Sequence, residues 1–380
     1  MNNLTIKIHT AIADISPDDW NALVKDNNPF LRYEFLHALE QYECVSAKFG
    51  WLPRHIVIYE REKLIAAMPV YEKHNSYGEF VFDNAWADAW QRSGLQYYPK
   101  LVIAAPYTPA TGQRLLVNHD DVPKINAVLL DVLKELAHKC DASGVHILFP
   151  NPEEQSWLQQ QNGFFARHDC QYHWFNQNYQ TFDDFLATLT AKKRKNIRQE
   201  RRRVERAGVT FRVLDGHTAT DADWQKFDYF YQKTFDEKWG TATLNEAFFK
   251  AIAKALPEQI VLVMADQGDE CIAGALMYRS NTTLYGRYWG CSEHVDALHF
   301  EACYYQGIDY CIQHDLQRFE PGAQGEHKIA RGFVPTLTRS SHWLADNPFQ
   351  ASIDNFVSHE KEAVAQYIDD CMQHTPYREV

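Results

Sequence analysis

Short alternating runs of apolar and polar residues recur twice along this chain, in the same order. Thr5-Ile-Lys-Ile-His9 and Thr210-Phe-Arg-Val-Leu214 alternate with period two, the signature of a half-buried strand. Each is followed by an Asp-Trp pair, Asp19-Trp20 and Asp223-Trp224. Ile65–Tyr71 answers Ile272–Tyr278, and Tyr77-Gly78 answers Tyr285-Gly286. Gly163-Phe164 with His173-Trp174 then answers Gly332-Phe333 with His342-Trp343. The copies share start, middle and end, and the first holds roughly forty more residues between its middle and end. A repeat this long is a repeated domain rather than a solenoid unit.

Within the first copy, His55–Tyr59 and Leu64–Tyr71 flank the polar Glu60–Lys63, a hairpin signal. Lys100–Ala105 is a further apolar run, and Pro106–Gln113 a Pro/Thr/Gly loop. Pro123–Cys140 has helical spacing through Ile125, Leu129, Val132 and Leu136. Val145–Phe149 reads as a buried strand, and Gln155–Gln161 as a helix stopped at Asn162-Gly163. The second copy reads Ile260–Met264, Ile272–Tyr278 and Thr283–Gly290 as strands, His299–Gln313 as helix, and Leu316–Glu320 and Gly332–Trp343 as strands. Phe182–Gly208 is one helix or two, with a thin stripe of Leu186, Leu189, Ile197 and Val204. The expected organisation is 1–180, with an aromatic insertion at about 83–118, then a basic connecting helix at 181–209, a second domain at 210–345 and a C-terminal helix at 346–380.

Composition narrows the class. With 380 residues, 45% hydrophobic and 14% aromatic, two well-filled cores are expected. Eight cysteines lack CxxC or CxxH spacing, which predicts no zinc site, no disulfide framework and a reducing, cytoplasmic setting. No apolar run has membrane-span length. The net charge of −12 gives no general attraction to DNA or anionic membrane, yet residues 192–206 hold nine basic and two acidic side chains. Arg194, Arg198, Arg202 and Arg206 recur every fourth residue, a helix face suited to phosphate. A solvated linker helix is the plainer reading of that stripe. No P-loop, GxSxG or HExxH is present, so nucleotide hydrolysis, serine hydrolysis and zinc proteolysis have no support.

The order strand, loop, helix, strand, helix, Gly-Phe, strand resembles the C-terminal part of the GNAT acyltransferase fold. The resemblance implies an α/β fold of mixed (α+β) sheets: two tandem GNAT-like acyl-CoA N-acyltransferase domains joined by a basic helix. It also implies that the loop before the long helix binds an acyl-CoA pyrophosphate, which marks Thr108, Gly112, Gln113 and Arg114 as cofactor-binding candidates. The junction Lys193-Arg-Lys-Asn-Ile-Arg198 … Ala207-Gly-Val209 resembles that of the Fem-type peptidoglycan aminoacyltransferases. His74–Asp83, Tyr97–Leu101, Pro106–Leu116, Tyr285–Gly290, Leu298–Glu301 and Phe319–Lys328 identify the chain as similar to a Fem-like family of peptidoglycan biosynthesis or recognition proteins.

Candidate chemistry concentrates in Arg318–Gly332. Glu320, Gln324, Glu326 and His327 are the catalytic candidates, and Lys328 and Arg331 supply cations for substrate. Amine acyl transfer needs a base for the amine proton and donors for the oxyanion. Glu320 and Gln324 also resemble the acid and glutamine that end this strand in leucyl/phenylalanyl-tRNA transferases. A loop whose charges only pair with one another is the bland alternative. Tyr285, Arg287 and Trp289 share a strand face, and His299 opens the next helix. His74, Tyr77 and Glu79, with Trp86, Trp90, Tyr97 and Tyr98 nearby, offer a second substrate surface or an aromatic core. Arg194 and Arg198 complete the substrate-binding set, with no metal. The reading is transfer of an acyl or aminoacyl group from acyl-CoA to an amine acceptor, with a cell-wall precursor as candidate acceptor. Aminoacyl-tRNA is the alternative donor, and a non-catalytic binder of an anionic cell-wall precursor the alternative class.

Overall fold

The computed structural model describes residues 4–238, 240–323 and 325–378. The chain forms two compact units, 1–169 with 337–365, and 170–336 with 366–380. The strands in chain order are β1 (Leu4–His9), β2 (Trp51–Pro53), β3 (His55–Glu60), β4 (Lys63–Met68), β5 (Val70–Lys73), β6 (Lys100–Ile103), β7 (Leu116–Val117), β8 (Gly144–Leu148) and β9 (Phe165–Phe175). They continue as β10 (Val209–Leu214), β11 (Ile260–Gln267), β12 (Glu270–Arg279), β13 (Thr283–Cys291), β14 (Arg318–Glu320) and β15 (Val334–Leu344).

In the first unit β1, β3 and β4 are successive antiparallel neighbours, and β7 adds to β4. Pro69 separates β4 from β5. A proline donates no ladder hydrogen bond, so the strand changes sheets there. β5 pairs antiparallel with β6, β6 pairs parallel with β8, and the far end of β15 closes against β8. The helix Val122–Lys139 buries Ile125, Leu129 and Leu133 with Ile56, Ile58 and Val145 in one core.

The second unit repeats this order. β10, β11, β12 and β13 are successive antiparallel neighbours, β13 pairs parallel with β14, and the far end of β9 pairs with β14. The hairpin irregularities coincide. The β3–β4 register shifts at Ile58/Tyr59, and the β11–β12 register shifts at the corresponding Ala265/Asp266. Both hairpin turns carry a left-handed residue at the same place, Arg61 at φ 57 and Gly268 at φ 61. The Asp-Trp landmarks have a local cause. Ser16 and Thr220 cap their helices by accepting from the backbone N–H of Asp19 and Asp223, which turns the following Trp20 and Trp224 into the core.

Several elements differ from the sequence reading. The strand residues Ser340–Leu344, read as the end of the second copy, pair with β8 in the first unit, and Trp174-Phe175 of β9 pair with β14 in the second. The closing strands are therefore exchanged between the repeats. β6 lies within the expected insertion 83–118, yet it is a fully buried sheet strand. Trp86, Trp90 and Tyr97 are buried with Ile353 and Val357 of the helix Gln350–Met372, so they form core and not an exposed stacking surface. Phe182–Gly208, read as one helix or two, does form two, Phe182–Thr188 and Ala191–Arg206. The described residues contain no helix long and apolar enough to cross a membrane.

Candidate functional site

The site begins where two strands of the second unit part. β13 and β14 pair only across Thr283–Arg318, Leu284–Phe319 and Tyr285–Glu320. β14 then ends at Glu320, just before Pro321, while β13 runs on to Cys291. Gly286 lets them pass closely, since a Cβ there would lie 3.2 Å from Pro321 Cα. Facing β12, the register slips: Met277 opposes Gly286 and Leu276 opposes Tyr288, which leaves Arg287 as the extra residue of a bulge. A bulge re-aims its side chain and interrupts alternation. Tyr285 is accordingly core, 1% exposed, and not a partner of Arg287 on one shared face as the sequence suggested.

A cavity of about 130 Å³ opens in this gap, lined by Gly286, Arg287, Tyr288, Trp289, His299, Cys303, Tyr304 and Pro321. His299 lies in the short helix Leu298–Phe300, and Cys303 and Tyr304 in the π-helical turn Glu301–Tyr305. π-helical turns are frequent at functional sites. Burial, with the neighbouring His327, Lys328 and Arg331, lowers the His299 pKa to about 4, so its imidazole is neutral at pH 7. Burial also pushes the Cys303 thiol far up, which removes it as a thiolate nucleophile.

Beside the cavity, burial and the Arg287 charge lower the Lys328 pKa to about 7. Lys328 Nζ donates to the Gly322 carbonyl at 2.8 Å, and its side chain is 2% exposed. His327 is exposed, with Nε2 2.8 Å from the Tyr304 hydroxyl. Burial, then Lys328 and Arg331, lower its pKa. Arg331 forms an ion pair with Glu200 at 2.7 Å, donates to the His327 carbonyl at 2.6 Å, and lies 3.3 Å from the Phe300 ring centroid. It braces the loop.

The remaining candidates have different surroundings. Glu320 is 2% exposed and lies 3.0 Å from Nε of the partly exposed Arg318, and its charge also bears on Arg287 of the cavity wall. Glu326 is exposed and accepts from the Tyr367 hydroxyl at 2.7 Å. Gln324 lies outside the described residues. Arg194 donates to the Leu189 carbonyl at 3.2 Å, while Arg198 is exposed beside Asp183. On that same helix Glu200 and Arg201 turn inward, Arg201 pairing with Glu301 and Asp309. Lys192, Lys195, Arg202 and Arg206 face solvent. Sequence reasoning missed Glu200, Cys303 and Tyr304. The one available signal was an acid interrupting a basic run.

In the first unit, His74 is exposed beside Glu72 and Tyr77 is 45% exposed, whereas Glu79 is buried 2.7 Å from Lys100. These three do not converge. The cofactor loop is also built inward. Arg114, 1% exposed, donates to the carbonyls of Leu148, Gln113 and Ala110 at 2.6, 2.6 and 2.7 Å. Gln113 accepts from Lys25 N–H and donates to Leu23, Thr108 donates to Pro106, and Gly112 N–H donates to Phe149. These donors hold the protein's own carbonyls, so the phosphate-cradle expectation for Thr108, Gly112, Gln113 and Arg114 gives way to a structural brace. Arg114→Met is expected to destabilise by about 3 kcal/mol, since it strands several buried carbonyls. Urea unfolding measures this, and a wild-type midpoint would refute the brace.

Mixed sheets with a parallel pair that parts beside a helix match the GNAT-like fold that the sequence resemblance implied. The chain belongs to the FemAB-like family, described as peptidoglycan biosynthesis/recognition, whose family model matches residues 11–379. Among solved structures it is similar to FemX, with 12% identity, 89% of this chain and 98% of that chain covered, and a TM-score of 0.55. It is also similar to the C-terminal domain of a putative lysylphosphatidylglycerol synthetase from Agrobacterium fabrum, with 9% identity, 92% and 97% covered, and a TM-score of 0.55. A conserved protein of unknown function from Bacteroides thetaiotaomicron gives 13% identity, 90% and 100% covered, and a TM-score of 0.52. At these identities the likeness is one of fold. No curated protein matches the chain.

Proposed function

We propose that the protein transfers an acyl or aminoacyl group to an amine acceptor in the second-unit cavity, with a peptidoglycan precursor as the acceptor class. The carrying observation is the gap between β13 and β14, where the bulged Arg287 and neutral His299 line a cavity beside Lys328. The family's description supports the acceptor class. In the step, the amine nitrogen bonds to the donor carbonyl carbon and the carbon–heteroatom bond to the carrier breaks. Lys328, with a pKa of about 7, takes the amine proton and returns it to the leaving group. Arg287 faces the oxyanion that forms between these events. For the donor, the inward-built first-unit loop favours aminoacyl-tRNA over acyl-CoA. The exposed Lys192, Lys195, Arg198, Arg202 and Arg206 offer a face for its phosphates.

The test incubates the purified protein with a nucleotide-linked muropeptide and either charged tRNA or acetyl-CoA, and measures the acceptor's mass gain. Gain with charged tRNA is the expected result. Replacing Arg198, Arg202 and Arg206 by Gln should raise the KM for charged tRNA about tenfold and flatten its salt dependence. Transfer from acetyl-CoA alone would overturn the donor assignment. No mass gain with any donor would overturn the reaction.

A further inference from the structure

A second cavity, of about 190 Å³, lies wholly within the first unit, at the end of β8. Arg167, His168, Thr338 and Arg339 line it, together with Phe82 and Phe149. Thr338 is 4% exposed, and its hydroxyl is buried with no hydrogen-bond partner in the protein. A buried hydroxyl left so is costly unless something enters to meet it. The neighbouring hydroxyl is different: Ser340 Oγ lies 2.7 Å from His342 Nε2, and His342 Nδ1 lies 2.7 Å from His146 Nδ1. Among the described residues no carboxylate lies within ion-pair distance of Arg339. Arg167 is held by Glu360 at 2.6 Å and donates to the Phe82 carbonyl at 2.8 Å, which fixes the wall. Burial, then the charges of Arg339 and Lys361, lower the His168 pKa against the opposing charge of Glu360. Two acids also line the cavity: Glu360, paired with Arg167, and Asp169, which is exposed. Phe82 is 62% exposed, an apolar face beside the cations.

We propose that this cavity is a binding site for a phosphate monoester, with the phosphoryl oxygens on Arg339, His168 and the Thr338 hydroxyl and the organic arm against Phe82. A guanidinium, an imidazole and a hydroxyl suit an anion with several acceptor oxygens. The site is separate from the transfer reaction, and its test reads binding alone.

Calorimetric titration with inorganic phosphate, phenyl phosphate and benzoate is the experiment. Phenyl phosphate should bind tightest, and Arg339→Gln should weaken it about tenfold or more, as expected for a lost charge-assisted contact. Thr338→Val should weaken it severalfold while leaving the melting temperature equal to wild type or higher, because it removes an unmet buried hydroxyl. Arg92→Gln, a change at an exposed helix position in the same unit, should bind as wild type. Absence of saturable phenyl phosphate binding to the wild-type protein would overturn the proposal. So would tighter binding of benzoate, or an unchanged constant in both Arg339→Gln and Thr338→Val.

Discussion

Replacing Lys328 by Arg or Met is expected to slow transfer by on the order of 10²–10⁴-fold, the scale of a lost general base, with donor KM changed only a few-fold. Arginine keeps the charge but does not deprotonate near neutrality, so it separates proton transfer from simple electrostatics. The environment sets the role. A lysine pKa of about 7 arises from burial first and then from Arg287, and it leaves much of the amine neutral at pH 7. The rate should therefore rise with pH through about 7 and then level off. The same shift affects folding with a fixed sign. The folded pKa lies below the unfolded value, so stability is full above the unfolded pKa and declines as pH falls toward 7. Lys328→Met should then lose activity yet melt no lower than wild type at pH 7. Full activity in Lys328→Arg would remove this residue from proton transfer.

Much of the scaffold was legible because its causes are local. The Asp-Trp pairs are an N-terminal cap and a core residue in succession, and any sequence reader can find them. Gly163 and Gly332 take left-handed φ values of 81° and 93° just before the 11-residue closing strands. The exchange of those strands was not legible. Their inward patterns fit either sheet, and pairing is decided by which partner edge the chain reaches.

The site shows the same divide. Arg287, Trp289 and His299 were found by residue type and do line the cavity. The bulge that separates Arg287 from Tyr285 depends on register against β12, which alternation alone does not encode. Glu320 was attractive as a carboxylate at a strand end, but its placement beside Arg318 and its burial emerge only in the fold. Cys303 and Tyr304 entered through one π-helical turn inside an otherwise ordinary helical pattern.

Lys100→Met is expected to lower stability by about 3–5 kcal/mol, the usual consequence of removing one partner of a buried ionic group. Lys100 has no exposed surface, and its ammonium meets Glu79 at 2.7 Å, the Ser76 hydroxyl at 2.9 Å and the Asp83 carboxylate. Asp83 also accepts from the hydroxyls of Tyr97 at 2.6 Å and Ser76. Burial raises the Glu79 pKa to about 7 even with Lys100 beside it, while Lys100 and its hydrogen-bonding neighbours hold Asp83 well below the usual range. Without the ammonium, the Asp83 charge remains in a dry site and must be neutralised or hydrated. Glu79→Gln alone should be much milder at neutral pH, because its carboxyl is already partly protonated there. Its raised pKa gives stability that is full below about 4.5 and lost as pH rises through about 7, so the wild-type advantage over Glu79→Gln should shrink across that window. Adding Asp83→Asn to Lys100→Met should restore at least half of the loss, since the stranded charge leaves with its partner. Urea midpoints of the single and double variants measure the coupling. Additive losses in the double variant would show that Lys100 acts through packing on Tyr97 and Tyr98, and not as the counter-ion of Asp83.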